Sequence, residues 1–310
     1  CHLHTKLTEF EYLTAIERIL GKGAMTFYFI NSVIILIMAG IIYFLTLSDT
    51  TYSAICYGFS INCPHPEDTN WGQFSYQYIG IGLVIVMGWT AYLPKLGKIL
   101  DITSLGIYSI LINAAFDFYI GIKAVIDGKV NLVTYEDADS VTENLAFFTG
   151  EPVSFTIGVF AMAFMIHNSA VPMLRKNQHQ SKNSRDLGLA YLITGVFYLL
   201  TGVVGTMGLY WRDDIQDAHT VLTNTLYSKE DPVTYYFAVA SQVVAMVQLI
   251  SVIPVLVFIS RNQILTFVYG EDGDPPLKVS LIYNTLFLIL CLGVQILNIS
   301  PNTVMSIAGT

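Results

Sequence analysis

Few polar side chains interrupt the long apolar runs of this chain, and their spacing narrows the chemistry open to them. His167 and Asn168 are adjacent, late in an uncharged run of 22 residues from Val153 to Leu174. An imidazole titrates near neutrality, so His167 is a candidate for contacting a solute or relaying a proton. A histidine bonded to a neighbouring helix is the structural alternative. Asn113 and Asp117 lie four residues apart, on one face of a helix. A carboxyl at mid-membrane costs roughly 2.5–3.5 kcal/mol on insertion scales, which makes Asp117 a functional candidate. The alternative is a carboxylate that hydrogen-bonds inside the bundle or reaches water. Ser241, Gln248 and Ser251 are spaced by seven and three residues and share a face. Pro254 has no N–H to offer the carbonyl of Ile250. A freed Ile250 carbonyl beside the Ser251 hydroxyl would suit a hard cation such as sodium; a packing kink is the alternative. No HExxH, GxSxG, Walker or CxxC pattern occurs, so the chain is not read as an enzyme. No cofactor is expected, and the ions these groups could handle are Na+ or H+.

The elements that position these groups are membrane helices. The chain is 54 % hydrophobic and 12 % charged, with mean hydropathy +0.57; a soluble domain carries about 25 % charged residues. Seven apolar segments are long enough to span a bilayer, at about 24–47, 76–94, 102–126, 153–174, 187–211, 233–259 and 277–299. They are continuous runs rather than the short alternating strands of a barrel. The expected fold is therefore all-α, a polytopic membrane helix bundle over 24–303. Residues 1–23 form an amphipathic lead-in, and 304–310 read as the start of a further, truncated span. The chain opens at Cys1 without an initiator Met, which suggests a piece of a longer protein.

Charge gives the expected sidedness. Placing alternate loops on alternate sides puts eleven Lys/Arg with the N-terminal end and four, Lys123, Lys129, Arg212 and Lys229, on the far side. The N-terminal end should thus be cytosolic. Most acids fall on the far side, so the net charge of -8 reflects a solvated lumenal face, and nothing points to nucleic acid as a partner. Cys56 and Cys63 share one far-side loop, where a local disulfide is expected. The first span should stop at Ser48-Asp49-Thr50, and Ala39 and Gly40 should admit a neighbouring helix closely. Gly195, Gly202, Gly205 and Gly208 should give the fifth span a smooth side for tight packing. Residues 260–270 read as a short separate cytosolic helix.

Two blocks carry a resemblance. One is Phe164-Met165-Ile166-His167-Asn168 with Leu174-Arg175-Lys176-Asn177 and Arg185-Asp186-Leu187. The other is Gln248-Leu249-Ile250-Ser251-Val252-Ile253-Pro254 with Arg261, Gln263-Ile264-Leu265 and Gly270. A weaker third runs from Ile41-Ile42-Tyr43 to Ser48. Together they resemble the amino acid/auxin permease family, over most of residues 5–310. Within it they are most similar to the sodium-coupled neutral amino acid transporter branch and its lysosomal, arginine-sensing kind. The resemblance implies a LeuT-like inverted repeat of eleven helices, of which this chain would hold the third to the ninth. It implies alternating-access transport of an amino acid with a coupling cation. Phe164, Ile166, His167 and Asn168 would line the substrate site on an unwound helix, and Ser251 would supply a hydroxyl to a sodium ion. The remaining half of both sites would come from the family's first helix. The same resemblance implies a lysosomal or vacuolar membrane, with the plasma membrane as the alternative. It also leaves open an amino acid sensor with little transport, reporting to a cytosolic signalling partner through an N-terminal tail.

Overall fold

The computed structural model describes residues 12–58, 74–91, 106–127, 179–209, 232–269, 277–301, 303–304 and 307. Their regular elements are helices: α1 (Tyr12–Leu20), α2 (Lys22–Gly58), α3 (Tyr76–Ala91), α4 (Gly106–Ile126), α5 (Asn183–Leu209), α6 (Pro232–Tyr269) and α7 (Leu277–Ile296). A 3-10 turn, Gln180–Lys182, leads into α5. Five of the described helices are long and apolar enough to cross a membrane, and α3 is a shorter apolar one. The fold is an all-α polytopic membrane bundle, as its composition implies. The span expected at 153–174 lies outside the described residues.

Two helix ends are set by residues in the left-handed backbone region. Gly21 has φ +89 and its N–H bonds the carbonyl of Glu17 at 2.9 Å, which closes α1 and turns the chain into α2. Asn298 has φ +53 after α7. There the Ile299 N–H reaches the Val294 carbonyl and the Asn298 N–H reaches that of Gln295, the paired bonds of a Schellman motif. Asparagine suits that position because its short polar side chain tolerates the conformation better than most.

Two helices outrun their expected ends. α2 has 37 residues and continues past Ser48 to Gly58. The hydroxyls of Ser48, Thr50 and Thr51 each donate to the carbonyl four residues back, at 2.9, 2.7 and 2.6 Å. A polar cluster that satisfies itself along its own helix gives no reason to stop. Likewise α6 has 38 residues and runs unbroken through the segment expected to form a separate helix. Pro232 sits in its first turn, where a missing N–H costs nothing, and Pro254 lies in its interior. At 1.5 Å per residue each helix is about 55 Å long, well beyond the roughly 30 Å of hydrocarbon in a bilayer.

The main core is built by α2, α3, α6 and α7, with Phe44, Leu47, Met87, Ile253, Phe287 and Cys291 buried together. α2 and α6 run antiparallel: Phe29 stacks on Phe267 at 4.0 Å, the Ser32 hydroxyl bonds Gln263 at 3.1 Å, and Leu36 and Ala39 pack on Val255, Leu256 and Ile259. Gly40 lies directly under the ring of Phe287, so this small pair does admit close neighbours, as expected. Gly195 and Gly202 of α5 behave otherwise, while the surroundings of Gly205 and Gly208 lie outside the described residues. A Cβ at Gly195 or Gly202 would meet nothing within 4 Å among the described residues, while Gly121 of α4 lies against Val204 of α5. One glycine on one partner suffices for close approach, and α4 supplies it. The outer side of α5 presents Leu192 and Leu199, 64 % and 66 % exposed, as lipid permits.

Gly80 of α3 is the tightest point in the core. It faces the amide of the fully buried Gln295, whose Nε2 donates to the Tyr76 carbonyl at 2.9 Å, and no methyl group fits between. Gly80→Ala should therefore displace Gln295 and lower stability by about 1–3 kcal/mol, read as a fall in apparent Tm. Gly82→Ala, where a Cβ meets nothing, should leave Tm unchanged.

Candidate functional site

α4 and α6 pack antiparallel along a seam that collects the polar groups expected to matter. At its centre the Ser241 hydroxyl donates to Asn113 Oδ1 at 2.5 Å, from a position with no solvent exposure. Towards one end Gly106 of α4 lies over Gln248 and Ser251; a Cβ there would sit 3.6 Å from Gln248 Cγ and 3.7 Å from Ser251 Oγ. Ser241, Gln248 and Ser251 thus all face α4. Towards the other end Phe116 packs edge-on against Phe237, and Phe116 and Ala238 are both fully buried. Beyond them Lys123 Nζ donates to Thr234 Oγ1 at 3.0 Å, and the Tyr119 hydroxyl stands 3.3 Å from the same oxygen.

Ser251 is 3 % exposed, and its hydroxyl donates to the Gln248 carbonyl at 2.7 Å. The proton is therefore committed to Gln248, and what Oγ presents to any further group is an acceptor. The Gln248 carbonyl lies three residues back along the same helix turn. Ile250 is partly buried against the main core, and Pro254 withholds the N–H that its carbonyl would otherwise accept. The two oxygens proposed for a cation remain on one turn.

Asp117 is half-buried on α4, one turn beyond Asn113. Among the described residues it has neither a hydrogen bond nor an ion-pair partner; Asn113 is spent on Ser241 instead. Phe164, Ile166, His167 and Asn168 lie outside the described residues, so the structure places Ser251 in the seam and Asp117 on α4 without placing either relative to His167. Cys56 is disulfide-bonded, and its expected partner Cys63 lies outside the described residues. Among the described residues no cluster of His, Cys, Asp and Glu could hold a metal ion.

Three polar contacts escaped the sequence reading. The Tyr119–Lys123–Thr234 clasp joins residues more than a hundred positions apart, and its one local signal is Lys123 four residues after Tyr119. Gln295 gives no sign in the sequence that its amide bonds the Tyr76 carbonyl beside Gly80. Arg261 is 8 % exposed, its guanidinium lying 5.0 Å from the Phe258 ring. Spacing of three would have suggested that cation–π pair. Its neighbour Ser260 accepts a hydrogen bond from Tyr283 of α7 at 2.8 Å.

No family model matches the chain. A Xenopus laevis protein named neutral amino acid transporter 9 is 27 % identical over 253 residues, covering 76 % of this chain and 43 % of its own length. The Rattus norvegicus protein of that name is 28 % identical over 139 residues, 45 % of this chain and 22 % of its own. A Caenorhabditis elegans protein named sodium-coupled neutral amino acid transporter 9 homolog is 24 % identical over 144 residues, 44 % of this chain and 21 % of its own. The chain spans less than half the length of these curated relatives. Their names agree with the transporter resemblance and mention neither arginine sensing nor a lysosome.

The central bond can be weighed directly. A double-mutant cycle of Asn113→Ala and Ser241→Ala, read by thermal unfolding, should give a coupling of about 0.6 kcal/mol, the usual size for a hydrogen bond between membrane helices. Additive effects would mean that α4 and α6 take their register from apolar packing alone.

Proposed function

We propose that the chain forms part of a secondary active amino acid transporter that moves its substrate with a coupling cation by alternating access. The observation that carries this reading is the similarity to neutral amino acid transporters over 76 % of the chain. The LeuT-like inverted repeat belongs to the same proposal. So do the roles of Phe164, Ile166, His167 and Asn168 in shaping the side-chain pocket. A buried hydroxyl whose proton is given to the Gln248 carbonyl, on the same turn as a carbonyl to which Pro254 has no N–H to offer, supports a cation at Ser251 and Ile250. The C. elegans relative's name includes sodium coupling, which favours Na+ over H+. Asp117 of α4 is the second coupling candidate, with His167, should protons drive transport. A lysosomal or vacuolar membrane, with the N-terminal end cytosolic, follows from the resemblance and the distribution of Lys and Arg.

Uptake by the full-length protein in proteoliposomes tests this. A sodium gradient should drive uptake of a neutral amino acid, and Ser251→Ala should remove most of the sodium dependence while uptake at saturating sodium survives in part. Proton-driven uptake that is indifferent to Ser251→Ala and lost in Asp117→Asn would move the coupling to Asp117. Binding of an amino acid without uptake under either gradient would replace the transporter with a sensor.

A further inference from the structure

Arg261 of α6 is a cation set inside the bundle. It lies eight residues before the end of α6 at Tyr269, at the level where the Ser32 hydroxyl of α2 bonds Gln263 and the Tyr283 hydroxyl of α7 bonds Ser260. Its side chain is buried. A guanidinium keeps its charge in a protein, so losing a proton cannot relieve that burial. Neither α2 as far as Ser48, nor α3, α6 or α7, contains an Asp or Glu to answer it. The titratable group that does interact with it is the Tyr283 phenol, which is uncharged and gives its proton to Ser260.

The face and the edge of the guanidinium stand in different situations. The Phe258 ring lies 5.0 Å from Cζ and takes up a face. The N–H groups point outward in the plane, and along that edge Nε is buried without an acceptor among the described residues. An unpaired buried charge is costly, and an apolar side chain of similar size would stabilise a bundle as well or better. What the arginine adds over such a side chain is an edge that can take an anion. Size and charge narrow which anion. Nε–H and the Nη–H beside it are parallel donors, spaced for the two oxygens of one planar group. One negative charge neutralises one guanidinium, and α6 carries no second cation for a dianion. A phospholipid phosphate fits poorly, since its acyl chains would have to follow it into the bundle.

We propose that Arg261 is a binding residue for a small monovalent carboxylate, which lies edge-on against Nε and Nη. Arg261 is ten residues beyond Ser251, about 15 Å along the helix, so this site is separate from the cation proposed there and does not rest on it.

The test is thermal unfolding of the detergent-solubilised full-length protein in sodium isethionate at constant ionic strength, titrated with sodium acetate and, separately, with sodium chloride. The readout is stability, so it stands apart from whether the protein transports. Acetate should raise the apparent Tm saturably, and at lower concentration than chloride. Arg261→Met puts an apolar chain in place of a buried charge, so it should fold with at least the wild-type Tm in the absence of acetate. It should weaken acetate about tenfold, the size of one charge-assisted contact. Arg261→Lys keeps a charge without the fork and should lose the preference for acetate over chloride. Alanine that acts as acetate does, in the wild type and not in Arg261→Met, would identify the source as the carboxylate of an amino acid. Acetate acting where alanine does not would identify a free monocarboxylate. Absence of an acetate effect in the wild type would overturn the proposal whether or not the variants fold, as would an equal effect in the wild type and Arg261→Met.

Discussion

The bond between Ser241 and Asn113 carries the constraint under which the rest of the bundle is built. Inside a bilayer no water competes for a polar group, so each must be answered within the protein. A serine with no exposure can be answered by its own helix or by another, and here it is answered by α4. That pairing goes with one register of the seam. With Asn113 opposite Ser241, Gly106 is brought over Ser251 and Tyr119 is brought to Thr234. Slippage by one turn would break the central bond and press side chains onto the turn that Gly106 leaves room for.

α6 is where these constraints meet. One of its faces packs on α2 through Val255, Leu256 and Ile259, another forms the seam with α4, and Ser260 reaches Tyr283 of α7. Its backbone is uninterrupted over 38 residues even though Pro254 removes one bond from the ladder. Such an element transmits displacement well. The turn around Ser251 and Pro254 cannot shift without disturbing contacts with three neighbours, so the cation proposed there would be coupled to the posture of the bundle. The α5 helix is the opposite case: it is tied to α4 at Gly121 and otherwise turns apolar side chains outward.

Much of this was legible beforehand where it depended on period and solvent. Unbroken apolar runs can satisfy their backbone in a membrane only as helices, so the all-α class followed from composition. The face shared by Ser241, Gln248 and Ser251 followed from helical spacing, and all three do turn to one neighbour. Helix ends were less legible. Ser48, Thr50 and Thr51 look like a stop signal, yet each hydroxyl closes on a carbonyl of its own helix and α2 continues. Glycines misled in a comparable way, because a small residue records that close approach is permitted and not whether a neighbour takes it up. Gly40 and Gly80 are used among the described residues, whereas a Cβ at Gly195 would meet nothing within 4 Å.

The sequence by itself determined the class of solvent, the period of the elements and the few polar groups that lipid would force into partnership. All of these are local properties: hydropathy over a span, spacing along a helix, a proline with no N–H. Only the tertiary structure decided who the partners are. Asn113 could have served Asp117 on its own helix face and instead serves Ser241, and Ser251 gives its proton to the Gln248 carbonyl. Lys123 and Thr234 meet across more than a hundred residues. The physical reason is that the pull on a polar group in lipid is strong but unspecific. Any partner satisfies it, and the packing of whole helices chooses which one arrives.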